Sequence, residues 1–290
     1  MRFARLGEPG AEQAVVLADE GAYALPGEDI DATFWRSGGV QRATQAMNAG
    51  MLSPLEGWEN IRVGAPIARP GAVICVGMNY AAHAAESGSE PPTTPIVFLK
   101  TPNTVVGAND DIPLPPGSMT TDWEVELGVV IGQSALYVSS PDAAAAHIAG
   151  YVLANDVSER TFQLEHSGGQ WSKGKCAPHF TPTGPWLVTP DECEPTQLKL
   201  RSWVNGEPRQ DSVTADMIFS VKYLVWHLSQ YMELEPGDLI LTGTPQGVAL
   251  SGRFPYLSVG DLVETEITGL GKQRQRVTET KLSAAKTGGE

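Results

Sequence analysis

The chain is short of cysteine, of basic residues and of long apolar runs, and each shortage removes a class of explanation. Its three cysteines, Cys75, Cys176 and Cys193, are odd in number and far apart in 290 residues. They offer neither a disulfide framework nor a zinc-ligand spacing, and they suit a reducing cytoplasm. Lys and Arg number 20 against 34 Asp and Glu, for a net charge of −14. That balance argues against a nucleic-acid binder and against adhesion to anionic membranes. It also means that an anionic small molecule needs a locally positive site. No apolar run approaches the roughly 20 residues of a membrane span. The opening MRFARLGEPGAEQ turns polar at once, unlike a secretory leader.

What is present is strand-like. AVVLADEGAYALP reads as a hairpin turning at Asp19-Glu20-Gly21, followed by a polar, helix-compatible stretch and a Pro-rich join, GAPIARPG. Residues 1–68 therefore read as a small N-terminal domain, 69–282 as the main domain and 283–290 as a frayed tail. AVICVGMNY, PIVFLK, WEVELGVVIG and YVLANDVSER read as strands. AAHAAESG is a short helix stopped by Gly88, and Ser140 caps a helix with Pro141 at its first position. Asn205-Gly206 marks a second hairpin. TADMIFSVKYLVWHLSQYMEL carries Met217, Val221, Leu224, Leu228 and Tyr231 at helical spacing. Regular alternation of strands and helices is missing, which disfavours a doubly wound sheet or a TIM barrel. The expected fold class is mainly β with short helices (α+β).

Within TTDWEVELGVVIG, alternation puts Asp122, Glu124 and Glu126 on one face and Trp123, Val125, Leu127, Val129 and Ile131 on the other. Like charges about 6–7 Å apart repel by about 0.6 kcal/mol in water and by about 2.5 kcal/mol at an effective dielectric of 20. A solvated strand face tolerates the row; a pocket requires a positive partner. Asp156, in a similar strand-to-turn context, is a turn signal when read alone. Together with Glu124 and Glu126 it makes an all-oxygen set that suits Mg²⁺ or Mn²⁺, and Ca²⁺ less well.

Further polar groups have both a plain and a chemical reading. His83 and Glu86 share a helix face at i and i+3, as a surface pair or as a general base beside its carboxylate. Lys173 and Lys175 lie in a Gly-containing loop, as solvated lysines or as an anion site. TGTPQG, with Gly243 and Thr244, is a turn or a cradle for a carboxylate. His147, His166, His179 and His227 read as structural or surface residues, and Cys176 as a residue without a nucleophilic role.

The ordered set GMNYAAHAAESG, PIVFLKTPNTVVGANDDIPLP, DWEVELGVVIG, GYVLANDVSER, QWSKGKCAPHFTPTGPWLV and YMELEPGDLILTGTPQGV resembles the fumarylacetoacetate hydrolase family from about Ala72 to Gly271. The N-terminal segment and the length resemble its acylpyruvate and 2,4-diketo-3-deoxy-L-fuconate hydrolase subgroup. The resemblance implies the mixed β-sandwich or β-roll fold of that family and a homodimer. It implies Mg²⁺ or Mn²⁺ on Glu124, Glu126 and Asp156, a catalytic dyad of His83 and Glu86, and a catalytic lysine at Lys175. Substrate-binding roles fall on Lys173, Gly243 and Thr244. The chain departs from the family pattern at Gln246, at Ala249 and in CAPHF after Lys175, all close to the expected substrate loops. The implied activity is hydrolysis of a C–C bond in a 2,4-diketo acid to pyruvate and a carboxylic acid. The same metal chemistry supports decarboxylation of an oxaloacetate-like acid, or isomerisation or hydration of a 2-hydroxy-dienoate. A catalytically silent metal-binding protein is the alternative of a different class.

Overall fold

The computed structural model describes residues 1–281, so the expected tail at 283–290 lies outside the described residues. In chain order the strands are β1 (Arg2–Leu6), β2 (Gln13–Ala18), β3 (Gly21–Ala24), β4 (Val73–Gly77), β5 (Ile96–Lys100), β6 (Val105–Gly107), β7 (Ile112–Leu114), β8 (Thr121–Asp122) and β9 (Val125–Ile131). They continue as β10 (Ile148–Asn155), β11 (Ser158–Glu159), β12 (Thr181–Thr183), β13 (Leu187–Val188), β14 (Lys199–Val204), β15 (Glu207–Val213), β16 (Leu239–Leu241), β17 (Leu262–Ile267) and β18 (Gly271–Glu279). The α-helices are short: α1 (Ala32–Arg36), α2 (Gly39–Asn48), α3 (Ala81–Glu86), α4 (Pro141–Ala144) and α5 (Val221–Ser229). The fold is mainly β with short helices, as the strand-like texture of the sequence requires.

Eleven strands form one mixed sheet whose main path runs β3-β2-β1-β13-β10-β9-β16-β4-β5, with β12 and β6 beside it. Five more form a second sheet in the order β15-β14-β17-β18-β7, and β8 pairs with β11 as a short ribbon. The main sheet is continuous across the boundary expected near residue 68. Strand β1 pairs with β13 through Arg2↔Val188 and Phe3↔Leu187. Phe3, Phe34 and Trp35 share a core with Val73, Val152 and Leu239. The N-terminal segment thus widens the main sheet and covers one of its faces with α1 and α2. Period-2 alternation sends Val125, Leu127, Val129 and Ile131 to the other face, against Val221, Val225 and Leu228 of α5 and Leu200 and Ile267 of the second sheet. Each such side chain contributes about 1.5–3 kcal/mol on burial.

Two elements are shorter than their sequence pattern suggests, and both have local causes. The strand expected from Trp123 begins at Val125. The Trp123 N–H is taken by the Asp122 side chain at 2.9 Å and the Glu124 N–H by Asn155 Oδ1 at 3.0 Å, so the ladder is interrupted. Trp123 consequently packs with Phe180 and Val263 rather than with Val125. The long amphipathic helix is confined to Val221–Ser229, with the Ser220 side chain accepting from the Tyr223 N–H as its N-cap. Upstream, the Ile218 and Phe219 N–H groups bond Asn79, and Met217 bridges Tyr80, so this stretch is extended. Tyr231, beyond the helix, is exposed. The Asn205-Gly206 hairpin forms with both residues at positive φ, 54° and 79°, as a two-residue turn between β14 and β15 requires.

Candidate active site

The antiparallel register of β9 and β10, with Ala154↔Glu126 and Asn155↔Val125, brings the residue after β10 opposite the residue before β9. Asp156 N–H donates to Glu124 O at 2.9 Å. Glu124, Glu126 and Asp156 consequently converge, each buried, with one oxygen apiece within 4.8 Å of the others. Asp122 is offset by the break in the strand. Its carboxylate accepts from Arg160 Nε at 2.9 Å, from Arg160 Nη2 at 2.7 Å and from the N–H groups of Ala249 and Leu250.

Three buried cations face this row. Lys175 Nζ lies 2.7 Å from Glu124 Oε2 and 2.6 Å from Asp156 Oδ2. Arg160 Nη2 reaches Glu124 Oε1 at 2.7 Å as well as Asp122. Lys100, at the end of β5, donates to Asp156 Oδ1 and to the Phe180 carbonyl. Burial opposes ionisation of Glu124, but Lys175 and Arg160 overcome it and hold its carboxyl at about 2. Burial, with Asp156 and Glu124 close by, pushes the Glu126 carboxyl well up, although the Gly243 N–H donates to its Oε2 at 2.7 Å. Burial works against the Lys175 ammonium, and Asp156 and Glu124 more than compensate, so it stays charged. Among the described residues four carboxylates thus meet three cations, and the acid that forms no salt bridge is Glu126. An all-carboxylate donor set with one unmet negative charge fits a hard divalent cation held by Glu124, Glu126 and Asp156.

The acids open into a cleft of about 310 Å³ whose walls include His83, Glu90, Phe98, Arg160, Gln163, Leu164, Trp171, Lys175, Thr244 and Leu250. His83, on α3, is 7% exposed and borders this cleft. Its Nδ1 stands 3.7 Å from Glu86 Oε2, and burial lowers its pKa from 6.5. The imidazole is therefore neutral near pH 7 and able to accept a proton.

The loop residues divide. Gly174 lies so close to β11 and the following turn that an added Cβ would sit 2.4 Å from Glu159 O and 2.5 Å from Gln163 N. This close approach, made to the chain itself, carries Lys175 into the site, while Lys173 is exposed and outside the cleft lining. Gly243 is at φ +97°, and its N–H is committed to Glu126 rather than free for a ligand. Thr244 borders the cleft, but its hydroxyl donates to Val125 O at 2.9 Å and accepts from Gln210 Nε2 at 2.8 Å. His147, His166, His179, His227 and Cys176 do not line the cleft. Lys100, Arg160, Gln163 and the bracing role of Asp122 were not read from the sequence. The repulsion expected along the acid row is the signal for Lys100 and Arg160, since it demands cations from elsewhere in the chain; Gln163 has no such signal.

Known proteins carry the same arrangement of sequence and fold. The sequence pattern of the fumarylacetoacetate (FAA) hydrolase C-terminal domain matches residues 72–278. The 2,4-didehydro-3-deoxy-L-rhamnonate hydrolase of Sphingomonas sp. (strain SKA58) is 43% identical over 284 residues, covering 96% of each chain. A fumarylacetoacetate hydrolase from psychrophilic Exiguobacterium antarcticum superposes with a TM-score of 0.84 at 31% identity, covering 97% of this chain and all of the other. A 5-carboxymethyl-2-hydroxymuconate delta-isomerase from Mycobacterium smegmatis does so with a TM-score of 0.76 at 34% identity and the same coverage. With most of its length matched in both sequence and fold, the chain belongs to the fumarylacetoacetate hydrolase family of enzymes.

Proposed function

We propose that the protein is a Mg²⁺- or Mn²⁺-dependent hydrolase that cleaves the C3–C4 bond of an acylpyruvate-type 2,4-diketo acid, giving pyruvate and a carboxylic acid. The observation that carries this reading is a neutral, buried histidine beside a glutamate, sharing one cleft with a buried acid triad and a charged lysine. A divalent cation on Glu124, Glu126 and Asp156 would supply Lewis-acid polarisation of the 2-keto acid end. The charge ledger suits this: four acids, three cations and a divalent ion leave one positive charge for a monoanionic substrate.

His83, with Nδ1 turned to Glu86, presents Nε2 to water and takes its proton. The water oxygen bonds to the C4 carbonyl carbon. The C3–C4 electron pair then moves to C3, and a proton returned to C3 completes pyruvate, while C4 leaves as the carboxylic acid. The Lys175 ammonium, fixed before reaction by two carboxylates, offsets negative charge on the diketone without reorganisation. The rest of the wall is apolar at Ile96, Phe98, Leu164, Trp171 and Leu250, and among the described residues it adds one charge, Glu90. The cations lining the cleft are already paired with carboxylates. A neutral acyl group therefore fits better than one bearing a second carboxylate. Given the rhamnonate hydrolase relative, a 2,4-diketo-3-deoxy sugar acid is the first substrate to try.

A second reading, isomerisation of a 2-hydroxy-dienoate in the same cleft, is favoured by the isomerase among the solved relatives. Product analysis separates the two. Acetylpyruvate, a 2,4-diketo-3-deoxy sugar acid, fumarylpyruvate, oxaloacetate and a 2-hydroxy-dienoate are each incubated with Mg²⁺, Mn²⁺ or EDTA, and a dienoate whose double bond shifts while no diketone is cleaved supports isomerisation. Metal-dependent pyruvate with equimolar acid from a neutral diketone supports hydrolysis. Pyruvate from oxaloacetate alone, with CO₂, replaces it by decarboxylation.

A further inference from the structure

The loop after β16 reaches both halves of the cleft. Besides the Gly243 N–H on Glu126 and the Ala249 and Leu250 N–H groups on Asp122, it sends the Gly247 N–H to Glu86 Oε2 at 3.0 Å. Its far end adds a side chain: Arg253 Nη1 donates to Glu86 Oε1 at 3.1 Å. Both oxygens of Glu86 are thereby held by donors from one loop. The Glu86 side chain is 11% exposed and that of Arg253 is 63% exposed, so the guanidinium caps the glutamate from solvent. The guanidinium also lies 5.4 Å from the centre of the Phe254 ring, which restricts its position. His83 Nδ1 is buried without a hydrogen-bond partner among the described residues and has Glu86 Oε2 as its neighbouring acceptor at 3.7 Å. A carboxylate engaged by two donors is fixed in orientation and keeps free lone pairs for a third.

We infer that Arg253 is a positioning residue that, through Glu86, sets the orientation and tautomer of His83. The inference rests on the reading of His83 and Glu86 as the general-base pair. Arg253 does not line the cleft, so it acts through Glu86 and not on substrate. The guanidinium end of this pair is largely in solvent, where an ion pair adds little to stability, so the consequence falls on turnover. It also gives loop 243–253 a single task, since the segment that supports Glu126 and Asp122 then holds the base as well.

The test is a double-mutant cycle on the full-length, metal-saturated protein with acetylpyruvate as probe. Arg253→Met lowers kcat about tenfold, in the usual range for residues that orient an active group, and leaves KM within about twofold. Arg253→Lys restores most of the loss. On a Glu86→Gln background the Arg253→Met change has no further effect, because the route is already cut. A raised KM with unchanged kcat, or an undiminished loss on the Glu86→Gln background, overturns the inference. A second readout does not need turnover. In ¹⁵N NMR of the metal-free protein, His83 favours the Nδ1–H tautomer, and Arg253→Met and Glu86→Gln reduce that preference alike. An unchanged tautomer in Arg253→Met also overturns the inference. If the parent protein cleaves no diketone, the hydrolase reading fails and the NMR comparison alone decides the role of Arg253.

Discussion

Two conservative changes to the acid triad, Glu126→Gln and Asp156→Asn, are predicted to act in different directions on the metal-free protein. Each replaces one carboxyl of the same cluster by an amide, but the surroundings differ. Glu126 is held by one backbone N–H and repelled by two carboxylates, and burial pushes its pKa well up. A group raised in the folded state stabilises the fold fully below its unfolded pKa and loses that contribution as pH rises through the folded one. Near pH 7 the fold gains nothing from Glu126 as a charged group, so Glu126→Gln leaves metal-free stability equal or higher. Asp156, by contrast, is the acceptor for Lys100 and Lys175, both buried. Removing one partner of a buried pair costs about 3–5 kcal/mol. In a chain of this size about 1 kcal/mol moves Tm by about 2–4 °C, so Asp156→Asn lowers Tm by about 10 °C. Added Mg²⁺ or Mn²⁺ at about 100 times its Kd stabilises the parent by about 2.7 kcal/mol, or about 5–10 °C, and both variants lose most of that gain. Differential scanning calorimetry with EDTA and with each metal reads all of these values. Equal destabilisation of the two metal-free variants, or a full metal shift in either, refutes the charge assignment.

Three further outcomes follow from the same geometry. His83→Ala lowers kcat by about 10²–10⁴-fold with an unchanged circular dichroism spectrum, and full turnover in that variant excludes His83 as the base. Because burial lowers the His83 pKa from 6.5, the neutral base persists as pH falls, and the acid limb of kcat/KM lies below pH 6.5 in the metal-saturated enzyme. A limb above that value contradicts a buried imidazole. Gly243→Ala combines a φ of +97° with a Cβ 2.9 Å from Asn79 Cβ, and it is expected to cost about 1–3 kcal/mol in urea unfolding, where an unchanged midpoint would count against the tight turn.

Much of the fold and part of the site are legible in the sequence, and the limits have physical causes. Period-2 alternation identifies β9, its apolar face and the E-x-E pair at its start because those features lie within one short run of chain, Glu124 to Ile131. The approach of Asp156 to Glu124 depends on the register of β9 with β10, which no single strand encodes. Lys100 and Arg160 are single basic residues at the ends of ordinary apolar segments, and only the topology brings them to Asp156 and Asp122. Lys173 and Lys175 look alike in sequence, yet the close approach at Gly174 buries one and exposes the other. The long helical pattern from Thr214 loses to tertiary bonding by Asn79, which takes up the Ile218 and Phe219 N–H groups before the helix can start. The N-terminal residues look separate by composition, but pairing of β1 with β13 merges them into the main sheet.

The most direct test of the central claim is hydrolysis of a neutral acylpyruvate in H₂¹⁸O with Mg²⁺ or Mn²⁺, followed by mass spectrometry of both products. Attack of water on the C4 carbonyl predicts ¹⁸O in the released carboxylic acid, in equal amount with pyruvate, abolished by EDTA and slowed about 10²–10⁴-fold by His83→Ala. A diketone left intact while oxaloacetate loses CO₂, or a dienoate shifts its double bond without uptake of label, would contradict hydrolytic C–C cleavage.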